Sequence, residues 1–258
     1  MKKPMQPDQG FIIDSDHLFK IAKDGYQKAS QGFEIHRQND AIVAIVFSAL
    51  ALEAFINELL VIAKMEKLSG SSEDWLDKLI EAIEECSTDG IAGKKPNGWI
   101  KCFNKFLNTF KLELRFIRGA KWKSTTDKLM SASKALGSQF DKRSSPYEDF
   151  VDLFKLRNCL VHLKPQDMIE PDEDKIYNYV GRELIEKLRS KGIFQQNTSV
   201  QSITLLVSDA KAAKWACETT SKMVIAILDK LDTTATSDFT KDNEVLAYYR
   251  ETFILDIS

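Results

Sequence analysis

The sequence predicts an all-α fold, a multi-helix bundle carrying a basic helical insertion. Three observations predict it. Apolar residues recur at helical spacing through most of the chain, separated by capping residues, glycines and prolines. One stretch, 41–63, is so rich in apolar residues that it reads as a helix, and a buried one fits better than a membrane one because Glu53, Asn57 and Glu58 interrupt it. Alternation of the strand kind shows only loosely, at 198–207.

The elements follow in order. Residues 1–10 hold two prolines and a glycine and read as a loose arm. Asp14-Ser15 starts a helix that runs to about Arg37. Asn39-Asp40 caps a long helix over 41–68, which Ser69-Gly70 ends. Ser71-Ser72 precedes a helix through Trp75, Leu79 and Ile83, with Glu73 and Asp74 suited to its first turn. Residues 87–98 read as a loop. Helical spacing resumes over 99–116 and 126–136 and breaks at Gly137. Pro146, fit for a first turn, opens a helix to His162 that Pro165 stops. An acidic connector over 167–174 leads to a helix ending near Arg189. Residues 198–207 are expected as a short strand or extended loop. Ser208-Asp209 caps a last long helix to about Leu231, and a short helical tail holds Tyr248, Tyr249 and Phe253. The simplest organisation is one helical domain over 1–258, with a basic insertion over roughly 91–145.

Composition is that of a globular protein, with 43% hydrophobic and 29% charged residues. The N-terminus lacks an apolar signal core, and no uninterrupted apolar run spans a bilayer, so a cytoplasmic chain with no membrane partner is expected. Cys86, Cys102, Cys159 and Cys217 show no paired spacing and read as reduced, packing thiols. The three histidines form no ligand-like pair, so no metal and no cofactor are expected. A phosphate-cradling glycine loop and a nucleophile elbow are missing from the sequence, which argues against a kinase or a serine hydrolase.

The net charge of −2 hides an uneven distribution. Between 91 and 145 lie thirteen basic residues against three acids, so the rest of the chain is strongly acidic. Lys94, Lys95, Lys101, Lys105, Lys121 and Lys123 are candidate RNA-binding residues, since lysines attract phosphate without regard to sequence. Trp99, Phe103, Phe106, Phe110, Phe116 and Trp122 interleave with them. Those aromatics read either as base-stacking groups or as the core stripe of an amphipathic helix.

The chemically pointed feature is Arg157-Asn158-Cys159-Leu160-Val161-His162. Such a string is short enough to arise by chance, so its context carries the argument. On a helical wheel Phe150, Leu153, Phe154, Leu160 and Val161 form an apolar face with Arg157 in its middle. His162 falls about 140° away, with Asp152, Lys155, Asn158 and Cys159. An arginine in an apolar stripe needs an anion. Glu53 shares a face of the long helix with Ile42, Val46, Ala49, Leu50, Ile56 and Leu60, and is the candidate partner, across packed helices or across a subunit interface. Such a pair could equally fix helix register. His162, at a helix C-terminus, is favoured in its protonated form, and Asn158 one turn earlier could orient its ring. An oriented histidine near a fixed guanidinium suits RNA cleavage without metal. His17 and His36 have no convincing partners.

Arg157-Asn158-x-x-x-His162, preceded by Phe154-Lys155-Leu156 and followed by Leu163-Lys164-Pro165, resembles the signature of the HEPN superfamily of ribonucleases. The segment from Ser48 to Asn57, bearing Glu53, is similar to that family's earlier acidic helix. With their helices these segments cover about a quarter of the chain, in the expected order. The resemblance implies a HEPN-like helical bundle that homodimerises so that both Arg-x4-His elements line one cleft. It implies metal-independent endoribonuclease activity, often in toxin–antitoxin or phage-defence systems, with an antitoxin or sensor as partner. Carried over, His162 is the acid/base, Arg157 stabilises phosphate charge, Asn158 is its polar companion and Glu53 a supporting acid. The alternative is a non-catalytic HEPN-like module that binds RNA, a nucleotide or a protein.

Overall fold

A computed structural model describes residues 14–31, 38–71, 73–88, 124–137, 139–162, 182–195, 203–234 and 244–255. Among these residues the chain is helical, with no strand. The helices are α1 (Asp14–Ser30), α2 (Gln38–Leu68), α3 (Asp74–Thr88), α4 (Thr125–Ala135), α5 (Tyr147–Val161), α6 (Arg182–Ser190), α7 (Ile203–Leu206), α8 (Ala210–Thr234) and α9 (Glu244–Phe253).

Helix α2 is the axis of the bundle, with α1 and α8 packed along it and α3 and α5 against it. By length and composition it could cross a membrane, yet here more than half of that apolar stretch is buried within the protein. Its N-terminal half is buried nearly all round, which explains a sequence with little amphipathic contrast. Ala41, Ala44, Ala49 and Ala51 are small enough to let neighbouring backbones approach. Gly25 of α1 marks the tightest point, where a Cβ would stand 2.8 Å from the Asp40 carbonyl oxygen and 3.0 Å from the Ala44 nitrogen. Helix α8 buries Ala212, Ala213, Ala216, Thr220, Met223, Val224, Ile227 and Leu231. It ties itself to α2 through a hydrogen bond from Thr220 Oγ1 to the Ser48 carbonyl at 3.1 Å.

Helix α9 closes the bundle by returning to α1 and α2. Phe253 stacks on Phe19 with ring centroids 4.6 Å apart, and Tyr249 meets Phe55 edge-on at 5.2 Å. Beneath these rings lies a polar knot. Glu58, only 8% exposed, accepts hydrogen bonds from the Ser15 backbone nitrogen (2.9 Å) and hydroxyl (2.5 Å) and from the Tyr249 hydroxyl (2.6 Å). A buried carboxylate needs such donors. Burial and the Glu58 charge push the Tyr249 hydroxyl well above its ordinary range, so it stays a donor. Next to it Tyr248 donates to Asp16, which also pairs with Lys20 at 2.9 Å.

Several boundaries differ from the sequence expectation. Helix α1 ends at Ser30, with a turn at Gln31, rather than near Arg37. Asn39 and Asp40 lie inside α2, which begins at Gln38, and do not cap it. Residues 87 and 88, expected in a loop, belong to α3. Pro146 stands at the N-cap of α5, one position before the first turn. Within 198–207 the described part is the short helix α7, not a strand or extended loop, because Ile203, Leu206 and Val207 bury together at helical spacing. The helix expected over 99–116, the arm over 1–10 and the acidic connector lie outside the described residues. Helix α4 has a capping box in which Ser124 and Asp127 each satisfy the other's backbone nitrogen.

Candidate functional site

Helix α5 positions the Arg-x4-His element. Tyr147, Phe150, Leu153, Phe154 and Leu156 bury into the bundle, with Phe150 and Phe154 in ring contact at 4.8 Å. This buried face is rotated from the expected one. Leu156 belongs to it, whereas Val161, expected in the apolar stripe, is 50% exposed. The rotation puts Arg157 at the margin of the packed face instead of its middle.

The Arg157 side chain is 22% exposed and lies against α2, its Nη2 atom 3.8 Å from Glu53 Oε2. The pairing expected from sequence therefore forms within one chain, between packed helices. It is not a buried pair, because Glu53 is 42% exposed. The fully buried face of α2 carries Leu52, Phe55, Ile56 and Leu59, and Glu53 sits at its flank. Asn57, one turn on, is exposed and accepts a hydrogen bond from Lys128 of α4 at 3.4 Å.

Of the two roles expected of Asn158, it takes that of Arg157's polar companion. Its Oδ1 accepts a hydrogen bond from Arg157 Nη1 at 3.0 Å, so it orients the guanidinium and not the imidazole. A third guanidinium donor, Nε of Arg157, is shielded from solvent and meets no hydrogen-bond acceptor among the described residues. His162 is the C-cap of α5, its backbone nitrogen bonded to the Asn158 carbonyl at 3.0 Å and its side chain exposed. The four residues thus divide. Glu53, Arg157 and Asn158 form one connected group, and His162 stands free of it on the open end of the same helix. Lys94, Lys95, Lys101, Lys105, Lys121 and Lys123 lie outside the described residues.

Asp152, placed with His162 on the helical wheel, stands toward the other end of α5. Asp152 is 1% exposed and forms the floor of a charged cluster that the sequence reading did not find. Lys191 Nζ lies 3.0 Å from Glu148, 2.7 Å from Asp149 and 3.1 Å from Asp152. Lys187 Nζ lies 2.7 Å from Asp152 and 3.0 Å from Glu148. The three carboxylates have the donor chemistry and closeness for a hard cation, their ligand atoms all within 4.8 Å of one another. Two ammonium groups already supply the positive charge there. Hydrogen bonds from Lys191 and Lys187 hold the Glu148 carboxyl below its usual range. Burial works to lower the Lys191 ammonium, but its bonds to Asp149, Glu148 and Asp152 outweigh burial and hold it above its ordinary value. The cluster docks α6 onto α5. Its signal in the sequence is the Glu148-Asp149-x-x-Asp152 spacing facing Lys187-x-x-x-Lys191, each set one helical turn long.

Neither Cys159 nor Cys217 forms a disulfide among the described residues. Burial pushes the Cys217 thiol up to about 11, which suits a packing residue beside Ser48. His17 is exposed on α1, and His36 lies outside the described residues. No family model, curated protein or solved structure matches this chain.

Proposed function

We propose that the protein is a metal-independent endoribonuclease of HEPN-like type, acting through Arg157 and His162. The observation that carries the reading is a guanidinium hydrogen-bonded to Asn158 and packed beside Glu53, on the same helix whose C-cap is an exposed histidine. In this chemistry the 2′-hydroxyl of the substrate attacks the adjacent phosphorus. The P–O5′ bond breaks, leaving a 2′,3′-cyclic phosphate and a 5′-hydroxyl. Charge accumulates on the non-bridging oxygens, where a guanidinium stabilises it, and imidazole moves a proton at the attacking or leaving oxygen. Because Arg157 and His162 leave the helix about 140° apart, one copy presents them on different faces. A homodimer that brings two such helix ends to one cleft would combine them, and the half-exposed Val161 beside His162 supplies apolar surface for it. A role as a toxin or antiphage-defence effector, restrained by an antitoxin or sensor, follows from the resemblance alone.

The second reading is a non-catalytic module that binds RNA, a nucleotide or a protein. It draws on Arg157 being tied to both Asn158 and Glu53, as a residue that only fixes helix register would be. One experiment separates the two. The full chain and its His162→Ala variant are incubated with mixed cellular RNA in EDTA. Cleavage by the wild type that is lost in the variant is the expected result. Cleavage surviving in the variant removes His162 from the mechanism, and a folded wild type that leaves RNA intact favours the binding module.

A further inference from the structure

We infer that Glu53 is the resting occupant of an oxyanion site on Arg157, and that an arriving phosphate group displaces it. The inference rests on the ribonuclease reading of the same site and assigns Glu53 a regulatory position instead of a supporting one. Its basis is an asymmetry between the two partners. Arg157 is the more enclosed partner: its side chain is 22% exposed, Nη1 is bonded to the exposed Asn158 at 3.0 Å and Nε is shielded from solvent. Glu53 is loosely held: its carboxylate is nearly half exposed, and at 3.8 Å it lies beyond hydrogen-bonding distance of Nη2.

A guanidinium has five donors, and here one makes a well-formed hydrogen bond to a side chain. A shielded cation with unspent donors attracts an anion, and the paired oxygens of a phosphate match the guanidinium fork better than one distant carboxylate oxygen. Swinging Glu53 into water costs little, since an exposed pair contributes at most about a fivefold shift in an equilibrium. Once displaced, the carboxylate no longer neutralises Arg157, and the full positive charge meets the phosphate. Glu53 is therefore a counter-ion that neutralises Arg157 while the site is empty and competes with weak anions.

Inorganic phosphate is the probe. The full chain, Glu53→Gln and the charge-balanced double variant Glu53→Gln/Arg157→Gln are titrated with phosphate, at ionic strength held constant with chloride, and followed by thermal shift. Glu53→Gln keeps the shape of the side chain, so a merely structural role for Glu53 would leave phosphate affinity unchanged. The expected result is phosphate binding about fivefold tighter in Glu53→Gln than in the wild type, with the gain abolished in the double variant. No gain in Glu53→Gln, or a gain that survives without Arg157, overturns the inference. Should the double variant fail to fold, the Arg157 Nε–H resonance in Glu53→Gln decides: phosphate must move it, and a resonance that stays in place is equally fatal.

A parallel titration with short single-stranded DNA, which has phosphodiesters but no 2′-hydroxyl, distinguishes a backbone diester from a terminal phosphate as occupant. His162→Ala separates this inference from the ribonuclease reading, because it should abolish RNA cleavage and leave phosphate affinity as it was. Intact RNA together with the Glu53→Gln gain would sink the nuclease and keep the oxyanion site. Cleavage without that gain would do the reverse.

Discussion

Two of the glutamates on helix α2, Glu53 and Glu58, stand five residues apart, and the fold treats them in opposite ways. Glu58 is enclosed and its oxygens meet three donors, from Ser15 twice and Tyr249 once. Glu53 is half out in water and faces one guanidinium at a distance too long for a hydrogen bond. The same residue type on the same helix thus makes a lock in one place and a loose counter-ion in the other. Enclosure is what separates them: a desolvated carboxylate must be satisfied by fixed donors, whereas a wet one can leave its partner. The lock ties α1 and α9 to the central helix. The loose pair sits where the chain presents its candidate chemistry.

Breaking the lock should produce the largest loss. Glu58→Ala strips the buried Ser15 nitrogen, Ser15 hydroxyl and Tyr249 hydroxyl of their acceptor, at a cost of about 3 kcal/mol. Urea denaturation measures it, and a loss below about 1 kcal/mol would show that the three donors find other partners. Gly25→Ala should come next, at about 2 kcal/mol of destabilisation. The new methyl meets backbone atoms of Asp40 and Ala44, which have no rotamer to give, and the usual helix benefit of alanine over glycine, about 1 kcal/mol, recovers only part. A Gly25→Ala protein that melts no lower than the wild type would mean that α1 and α2 separate easily.

The lock shows where sequence reasoning reached its limit. Helices α2, α4 and α8 were legible because their apolar spacing, glycine stops and Ser-Asp starts are local signals. The Glu53–Arg157 pair was also legible, since both stand out against apolar neighbours. Glu58 was not: its donors come from positions 15 and 249, a separation no local pattern encodes. For Asn158 the resemblance named the right companion, Arg157, where helical spacing had named the His162 ring. Spacing of i and i+4 favours the His162 ring, but the Arg157 side chain folds back so that its Nη1 reaches the adjacent Asn158 at 3.0 Å instead. Wheel arithmetic gives relative directions along α5 well; the face that packs depends on Leu156 finding the core in place of Val161.

The Asp152 cluster is intermediate between lock and loose pair, and acidity should reveal it. Hydrogen bonds from Lys191 and Lys187 lower the Glu148 carboxyl. Burial tends to raise the Asp149 carboxyl, but bonds from Lys191 and Ser145 leave it lowered too. Groups lowered in the folded state stabilise it fully above their ordinary values and lose that contribution as pH falls through the folded ones. Lys187 and Lys191 are raised against the opposing effect of burial, so their contribution is complete below 10.5 and fades as pH climbs past their folded values. The docking of α6 on α5 should therefore hold across neutral pH and loosen below about pH 4, before α2 and α8 unfold. Hydrogen exchange of the 182–190 amides follows it. Equal protection of α6 and α8 down to the global acid transition would contradict this order.

The smallest effect on stability should belong to His162, at the far end of the comparison from Glu58. Its side chain is exposed at the C-cap of α5, and the helix ends there through a backbone bond to Asn158 that any residue can make. His162→Ala should change stability by no more than about 0.5 kcal/mol, the range for surface sites without special contacts. If the proposed chemistry holds, the same variant lowers RNA cleavage by about 10²–10⁴-fold, the usual contribution of a positioned acid or base. Glu58→Ala should show the converse under conditions where it remains folded: a large loss of stability with cleavage per folded molecule close to the wild type. Measuring melting temperature and cleavage on both variants tests the contrast in one set of experiments. A His162→Ala protein that is markedly unstable would place the imidazole among the residues that hold the bundle together, and the loose end of α5 would then be part of the lock.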